Sequence, residues 1–283
     1  MKLTVLQENL ARGLNIVSRA VSTRSTLPVL ANVLLATDGG RLKLATTNLE
    51  IAITCWTGAK VERGGSITIP HRTLSDLVST LPPDRVDLVL DEKTNTLHLS
   101  CARIEANIKG IDADEFPLVP EPGQEERYRI ETAVLKGMIN QVAFAAANDD
   151  ARPTLTGVLT RLRGKELTMA ATDGYRLSLK TSPFTGSAEP PIEVVIPARA
   201  LAELGRVADD ASEHIHITLP RGRNQIIFEL DDVVLVSQLI DGHFPDFQPV
   251  IPQRFSTRTV LNTSEFAKAC KMAEIFARDA SYT

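Results

Sequence analysis

Apolar residues recur at two periods along this chain, and the two periods alternate in a fixed order. "KLTVL" alternates at the start in the manner of a half-buried strand, and "QENLARGLNIVSRAV" then sets Leu10, Leu14, Val17 and Val21 at helical spacing. β-rich runs follow near 29–36, 41–47 and 50–56. The pattern then restarts with a strand at 66–69, a helix over 71–81 and strands near 85–90, 95–100 and 103–109. Each motif is a strand, a helix and three strands. Sheets with helices grouped on one side predict an α+β architecture.

The same text is then written again. "LATTNLEIAI" at 44–53 and "MAATDGYRLSL" at 169–179 share an Ala, a small residue, Thr and then Asn or Asp, with Thr47 and Thr172 lying 125 positions apart. At that shift Val5, Leu10, Leu14 and Val17 fall on Ile130, Leu135, Ile139 and Val142. "SITIPHRTLSDL" answers "EVVIPARALAEL" at a shift of 127, and Phe116-Pro117 answers Phe244-Pro245 at 128, a drift that loop insertions produce. A third copy opens at "RTVLNTSEFAKACKMAEIF", where Leu261, Phe266, Cys270 and Ala273 take the same places. Pro-rich stretches at 116–126 and 244–253 separate the copies as extended linkers. The expected domains are therefore 1–122, 126–253 and the beginning of a third at 256–283. Only 28 residues follow Phe255, so the third copy is expected to be cut short. Its strand and helix would then leave the apolar face of Phe266, Ala273 and Phe276 uncovered, and the chain would not close a stable ring on its own.

Charge refines the picture. Lys and Arg number 31 against 35 Asp and Glu, a net charge of −4 that excludes a protein basic over its whole surface. Yet the polar stripes of the predicted helices repeatedly carry cations: Arg12 and Arg19, Arg72, Lys136, and Arg199 with Arg206. A basic surface shared by these helices inside an acidic protein is the consequence. No apolar run reaches the roughly eighteen residues of a membrane span, and the N-terminus is polar and periodic, so a cytoplasmic location is expected. Cys55, Cys101 and Cys270 are odd in number and widely spaced, without a CxxC pair, and are expected as buried thiols. His214 and His216 would share one strand face, but nothing at metal-ligand spacing completes a site. No hydrolase, kinase or metalloprotease motif occurs, and an acid–base cluster of Asp173, Arg176 and His243 lacks any such frame. No catalytic residue, metal or cofactor is expected.

The repeat, "RSTLPVLANVLL" after the first helix, "ATDGYRL" in the second copy and "LIDGHFPDF" at its end together resemble the bacterial replicative sliding clamps, the beta subunits of DNA polymerase III. The likeness runs through the entire chain in order. It implies a non-catalytic polymerase accessory subunit, a homodimeric ring in which helices line a central hole and sheets form the outer wall. Double-stranded DNA would be held without regard to sequence. The replicative polymerase catalytic subunit, the clamp loader and other proteins with a clamp-binding motif would dock as short peptides. Residues matching DNA-facing positions are Arg24, Arg72, Arg152, Arg199 and Arg206; Asp149 stands where many relatives have an amide and is left out. Thr172, Gly174, Arg176 and Leu177, with Pro245 and Val250, match the border of the peptide cleft. Ala106 and Ile108, facing Ile275 and Phe276 of a second subunit, match the ring interface, with Ala106 smaller than the residue common there. An interaction scaffold of the same fold that does not touch DNA is the alternative.

Overall fold

The computed structural model describes residues 1–22, 25–123, 126–149, 151–208, 212–220, 222 and 224–280. It divides into a large unit, Met1–Phe244, and a small one, Pro245–Thr283.

In the large unit the repeat is visible element by element. The first half runs β1 (Lys2–Leu6), α1 (Gln7–Val17), β2 (Asn32–Asp38), β3 (Arg41–Thr47), β4 (Ile51–Arg63), β5 (Ser66–Pro70), α2 (His71–Thr80), β6 (Arg85–Asp91), β7 (Thr96–Cys101) and β8 (Ile104–Lys109). The second runs β9 (Arg127–Glu131), α3 (Thr132–Val142), β10 (Gly157–Thr172), β11 (Leu177–Pro197), α4 (Ala198–Val207), β12 (His214–Thr218), β13 (Gln225–Glu229) and β14 (Val233–Gln238). Every strand pairing among the described residues is antiparallel.

The second copy departs from the first in one respect. Where β2 and β3 are separate, their counterpart runs on as the long strand β10, and β11 likewise fuses the counterparts of β4 and β5. The turn survives as register shifts between Leu162 and Gly164 and between Gly164 and Glu166. Gly164 keeps φ +55°, matching φ +54° at Gly39 in the β2–β3 turn. Both values lie in the left-handed region that glycine enters freely.

The two halves form one sheet. β4 pairs with β14 from Val233 opposite Cys55 to Ser237 opposite Ile51, and beyond that stretch β4 turns to pair with β1. Two side-chain groups flank this joint. On one side Trp56 donates to Asp38 at 2.7 Å beneath the cations of Arg41 and Lys43. Arg41 reaches across to Asp232 at 2.8 Å, and Lys43 reaches Glu121 in the linker at 2.5 Å. Elsewhere Arg19, just past α1, meets Glu203 of α4 at 3.3 Å. Val119, from the same linker, packs against Ala52, Ile227, Val234 and Val236.

Helical spacing sets the core. Leu10, Leu14 and Val17 of α1 and Leu74 and Val78 of α2 are buried against the first-half strands. Leu135, Ile139 and Val142 of α3 and Leu201 and Leu204 of α4 do the same in the second half. α1 lies so close to the sheet that a Cβ on Gly13 would stand 2.5 Å from Leu44 Cδ1. Only a hydrogen fits there.

The described residues of the small unit hold a short 3-10 turn, Gln248–Val250, and α5 (Thr263–Ala280). Asn262 starts that helix by accepting from the amides of Ser264 and Glu265 at 3.0 and 3.2 Å. The expected strand ahead of α5 does not form: no described strand pairs with residues 256–262. A strand without a partner leaves its backbone groups to water and gains nothing over coil. Phe266, Ile275 and Phe276 are more than half exposed. Cys55 and Cys101 are buried as expected, with burial pushing the Cys55 thiol up to about 11. Cys270 corrects the expectation: it is exposed, because α5 has neither face covered.

Leu14 and its counterpart Ile139 occupy equivalent buried sites, so each truncation to Ala should remove about 2–5 kcal/mol. Denaturant unfolding of the two variants checks this, with closely similar losses expected from both.

Candidate functional site

The repeated phrase folds into the same side-chain-braced turn twice. In the first copy Thr47 Oγ1 accepts from the Leu49 amide at 3.0 Å and donates to the Ile51 carbonyl at 3.0 Å. Asn48 Oδ1 accepts from the amides of Glu50 and Ile51 at 3.0 and 2.8 Å. In the second copy Thr172 Oγ1 accepts from Gly174 at 3.0 Å and donates to the Arg176 carbonyl at 2.6 Å. Asp173 Oδ1 accepts from Tyr175 and Arg176 at 2.9 and 3.0 Å. The tip residues share a left-handed backbone, φ +75° at Leu49 and φ +94° at Gly174.

The copies differ in what they show to solvent. Thr47 and Ile51 are buried, whereas Tyr175 is 97% exposed and Arg176 is exposed. The Arg176 guanidinium bonds Asp173 Oδ2 at 2.9 Å and lies 5.5 Å over the ring of Phe144, itself 60% exposed. Two backbone N–H groups, followed by the Arg176 charge, hold the Asp173 carboxyl below its ordinary range. Leu177 is half-buried and begins β11. The result is a rigid turn offering an apolar residue, an aromatic ring and a fixed cation.

Arg152 joins this turn. It lies in the loop before the 3-10 turn Pro153–Thr156 and donates to the Asp173 carbonyl at 3.2 Å. A Cβ on Gly174 would come within 3.1 Å of its Nη1. Expected as a phosphate contact, Arg152 is thus held by the same loop that carries the predicted peptide residues Thr172, Gly174, Arg176 and Leu177.

The remaining predicted cations are helical and exposed. Arg72 on α2 stands 3.7 Å from Asp76, one turn on. Arg199, the second residue of α4, borders a cavity of about 630 Å³ with Phe144, Asn148 and Glu50. Arg206 ends α4 bonded to Glu203 at 2.6 Å. Arg24 lies outside the described residues.

The predicted interface residues, and the predicted cleft residues Pro245 and Val250, sit at ends and edges. Ala106 and Ile108 are on β8, which pairs only with β7 and so closes one end of the described sheet. Ile108 is buried and Ala106 half-buried. In the small unit Pro245 is exposed, Val250 lies in the 3-10 turn, and Ile275 and Phe276 project from α5 at 64% and 78% exposure. Among the described residues no group of His, Cys, Asp and Glu could hold a metal ion. His214 instead lies 3.0 Å from Arg129. Among the described residues no helix is long and apolar enough to cross a membrane.

Comparison with known proteins agrees with this architecture. The sequence model of the DNA polymerase III beta subunit N-terminal domain matches residues 1–120, and that of its central domain matches 129–246. The chain belongs to the DNA polymerase III beta subunit family. It is 31% identical to the beta sliding clamp of Bacillus subtilis over 99% of its own length and 75% of that protein's. The beta sliding clamp of Synechococcus elongatus is 34% identical over 98% of this chain and 74% of its own. Among solved structures the Bacillus subtilis sliding clamp superposes with a TM-score of 0.93 at 30% identity, covering 98% of this chain and 74% of that one. The clamp fold is therefore shared closely.

Two residues of these regions were missed by sequence reasoning. Phe144 reads as one more apolar position of a helical stretch, yet its ring is the stacking partner of Arg176. Glu203 stands three residues before Arg206, a spacing that could have flagged their pairing. Its second partner, Arg19, is 184 residues away and left no such signal.

Because Asn48 does in the first turn what Asp173 does in the second, Asp173→Asn should keep the turn ordered while Asp173→Ala loosens it. Each amide hydrogen bond lost, worth about 1 kcal/mol, corresponds to about fivefold faster hydrogen exchange at Tyr175 and Arg176. The depressed carboxyl adds a pH signature. Turn protection should be full above the ordinary aspartate range and fade as pH falls through the lowered value, in wild type and not in Asp173→Asn.

Proposed function

We propose that this chain acts as a DNA sliding clamp, a non-catalytic accessory subunit that encircles duplex DNA and keeps a bacterial replicative polymerase on it. The observation that carries this reading is the segregation of charge. An acidic protein places Arg72, Arg199 and Arg206 on helix positions exposed to solvent while the opposite faces of the same helices fill the core. Cations on a helical surface meet phosphates at any base sequence, and such binding weakens as salt displaces it. Arg24 and Arg152 belong to the same proposed contact set, Arg152 through its loop.

Partners are proposed to dock as extended peptides on the braced turn of Thr172, Gly174, Arg176 and Leu177, together with Pro245 and Val250. The polymerase catalytic subunit and the clamp loader are the intended occupants. Gly174 permits close backbone approach, Arg176 is pre-set by Asp173 and Phe144, and Leu177 supplies apolar surface. Ring closure is proposed between β8, through Ala106 and Ile108, and Ile275 and Phe276 of a second copy. A terminal strand of the sheet and exposed apolar side chains suit such a contact. The proposed domain boundaries stay at 122–126 and 253–256. A solved Pseudomonas aeruginosa clamp bound to griselimycin shows that a family member takes a ligand.

Two measurements test the reading. Anisotropy titrations on unrelated short duplexes should show Arg72→Ala, Arg199→Ala and Arg206→Ala together weakening binding alike and flattening its salt dependence, by up to about 0.9 in log–log slope per phosphate lost. A loss confined to one sequence contradicts sliding. Calorimetry with a Gln- and Leu-rich clamp-binding peptide should show binding that Leu177→Asp abolishes. Unchanged affinity would move the peptide site elsewhere.

A further inference from the structure

The basic helix surface contains one carboxylate that is not a solvated neighbour. Glu203, in the middle of α4, is only 9% exposed, while the two guanidiniums it meets lie further out. One oxygen accepts from Arg206 at 2.6 Å, one turn along its own helix. The other accepts from Arg19 at 3.3 Å, in the 3-10 turn that follows α1 in the other repeat. The carboxylate therefore sits between two of the cations that the repeat supplies, and it touches both halves of the molecule.

A carboxylate in that place opposes phosphate binding twice. It cancels one of two positive charges, and it fixes both side chains by charge-assisted bonds that must be broken or shared before either can follow a phosphate. Burial makes the arrangement lasting: removing either partner would leave a poorly hydrated charge, so neither arginine swings away cheaply. Arg199, on the same helix, forms no salt bridge with any described residue. The two arginines of α4 thus differ in ion pairing although alike in exposure.

We propose that Glu203 is a positioning residue that limits the grip on DNA, restraining Arg19 and Arg206 so that the duplex is held loosely enough to move through. Every phosphate contact that forms must break again when the duplex advances. A surface with one charge fewer to release passes DNA more easily. This rests on the DNA-binding reading above.

The test uses the full chain and a short duplex of arbitrary sequence, titrated across a salt series, with thermal unfolding followed in parallel. Glu203→Gln should bind several-fold more tightly at low salt, with a slope steeper by about 0.9, the value of one more phosphate engaged. Glu203→Asp, which keeps the charge, should retain the wild-type slope. An unchanged slope and affinity in Glu203→Gln, with a lowered melting temperature, would make Glu203 a strut between the halves and overturn the proposal. A second comparison separates restraint from a folding defect. Adding Arg206→Ala to Glu203→Gln should bring affinity and slope back toward wild type, and a double variant that binds as tightly as Glu203→Gln would overturn the proposal. Wild type binding no duplex at any salt would instead remove the DNA reading itself.

Discussion

The backbone ladder between β4 and β14 is the constraint on which the large unit depends. Neither half presents a closed sheet by itself, and five residue pairs from Val233–Cys55 to Ser237–Ile51 join them edge to edge. Once that ladder is set, the position of each helix relative to the other half follows. Val119 of the linker packs on the apolar cluster that Ala52 of β4 forms with Val234 and Val236 of β14. The ion pairs beside the ladder add direction more than energy. Exposed pairs such as Arg41–Asp232 contribute little in water, but each is satisfied in one register only. A one-residue slip would turn the apolar set Ala52, Val234 and Val236 to the wrong face.

Much of this was legible in the sequence for a definite reason. Element type follows from periodicity, and the periods of 2 and 3.6 are clear at β1, α1, α2 and β6 to β8. Duplication then lends each element a second witness, so Leu10 and Leu135 identify one another. The pairing of β4 with β14 was not legible, because period-2 alternation says that a strand has a buried face and not which strand lies beside it. Nor was the fusion of β10 and β11, since Arg163-Gly164-Lys165 reads as an ordinary turn and only the three-dimensional register shows it absorbed. The missing strand ahead of α5 failed on the same ground: strand propensity requires a partner.

The candidate sites show the same division. Resemblance located the turn at Thr172 to Leu177 and the helical arginines, but it gave no partner to any of them. Geometry supplies that. Arg176 is committed to Asp173 and Phe144, Arg206 and Arg19 to Glu203, Arg152 to the Asp173 carbonyl, whereas Arg199 has no ion-pair partner among the described residues. The turn itself is a case where one device serves two ends. Its first copy is braced in the same way around a strained Leu49, and residues beside it are buried as structure. Its second copy relaxes the strain with Gly174 and turns the same hydrogen-bond frame outward.

Trp56 is the single tryptophan of the chain, and it stands at the joint. Its amide donates to the Asp232 carbonyl of the opposite half at 2.9 Å, its indole N–H is bound to Asp38, and two cations lie over its ring. All near-ultraviolet emission of indole origin therefore comes from the seam between the repeats. Opening the seam would remove Asp232 from the Trp56 amide and from Arg41 and admit water beside the indole, shifting its emission to longer wavelength. The protein carries its own optical gauge of whether its two halves remain one sheet, with no label attached.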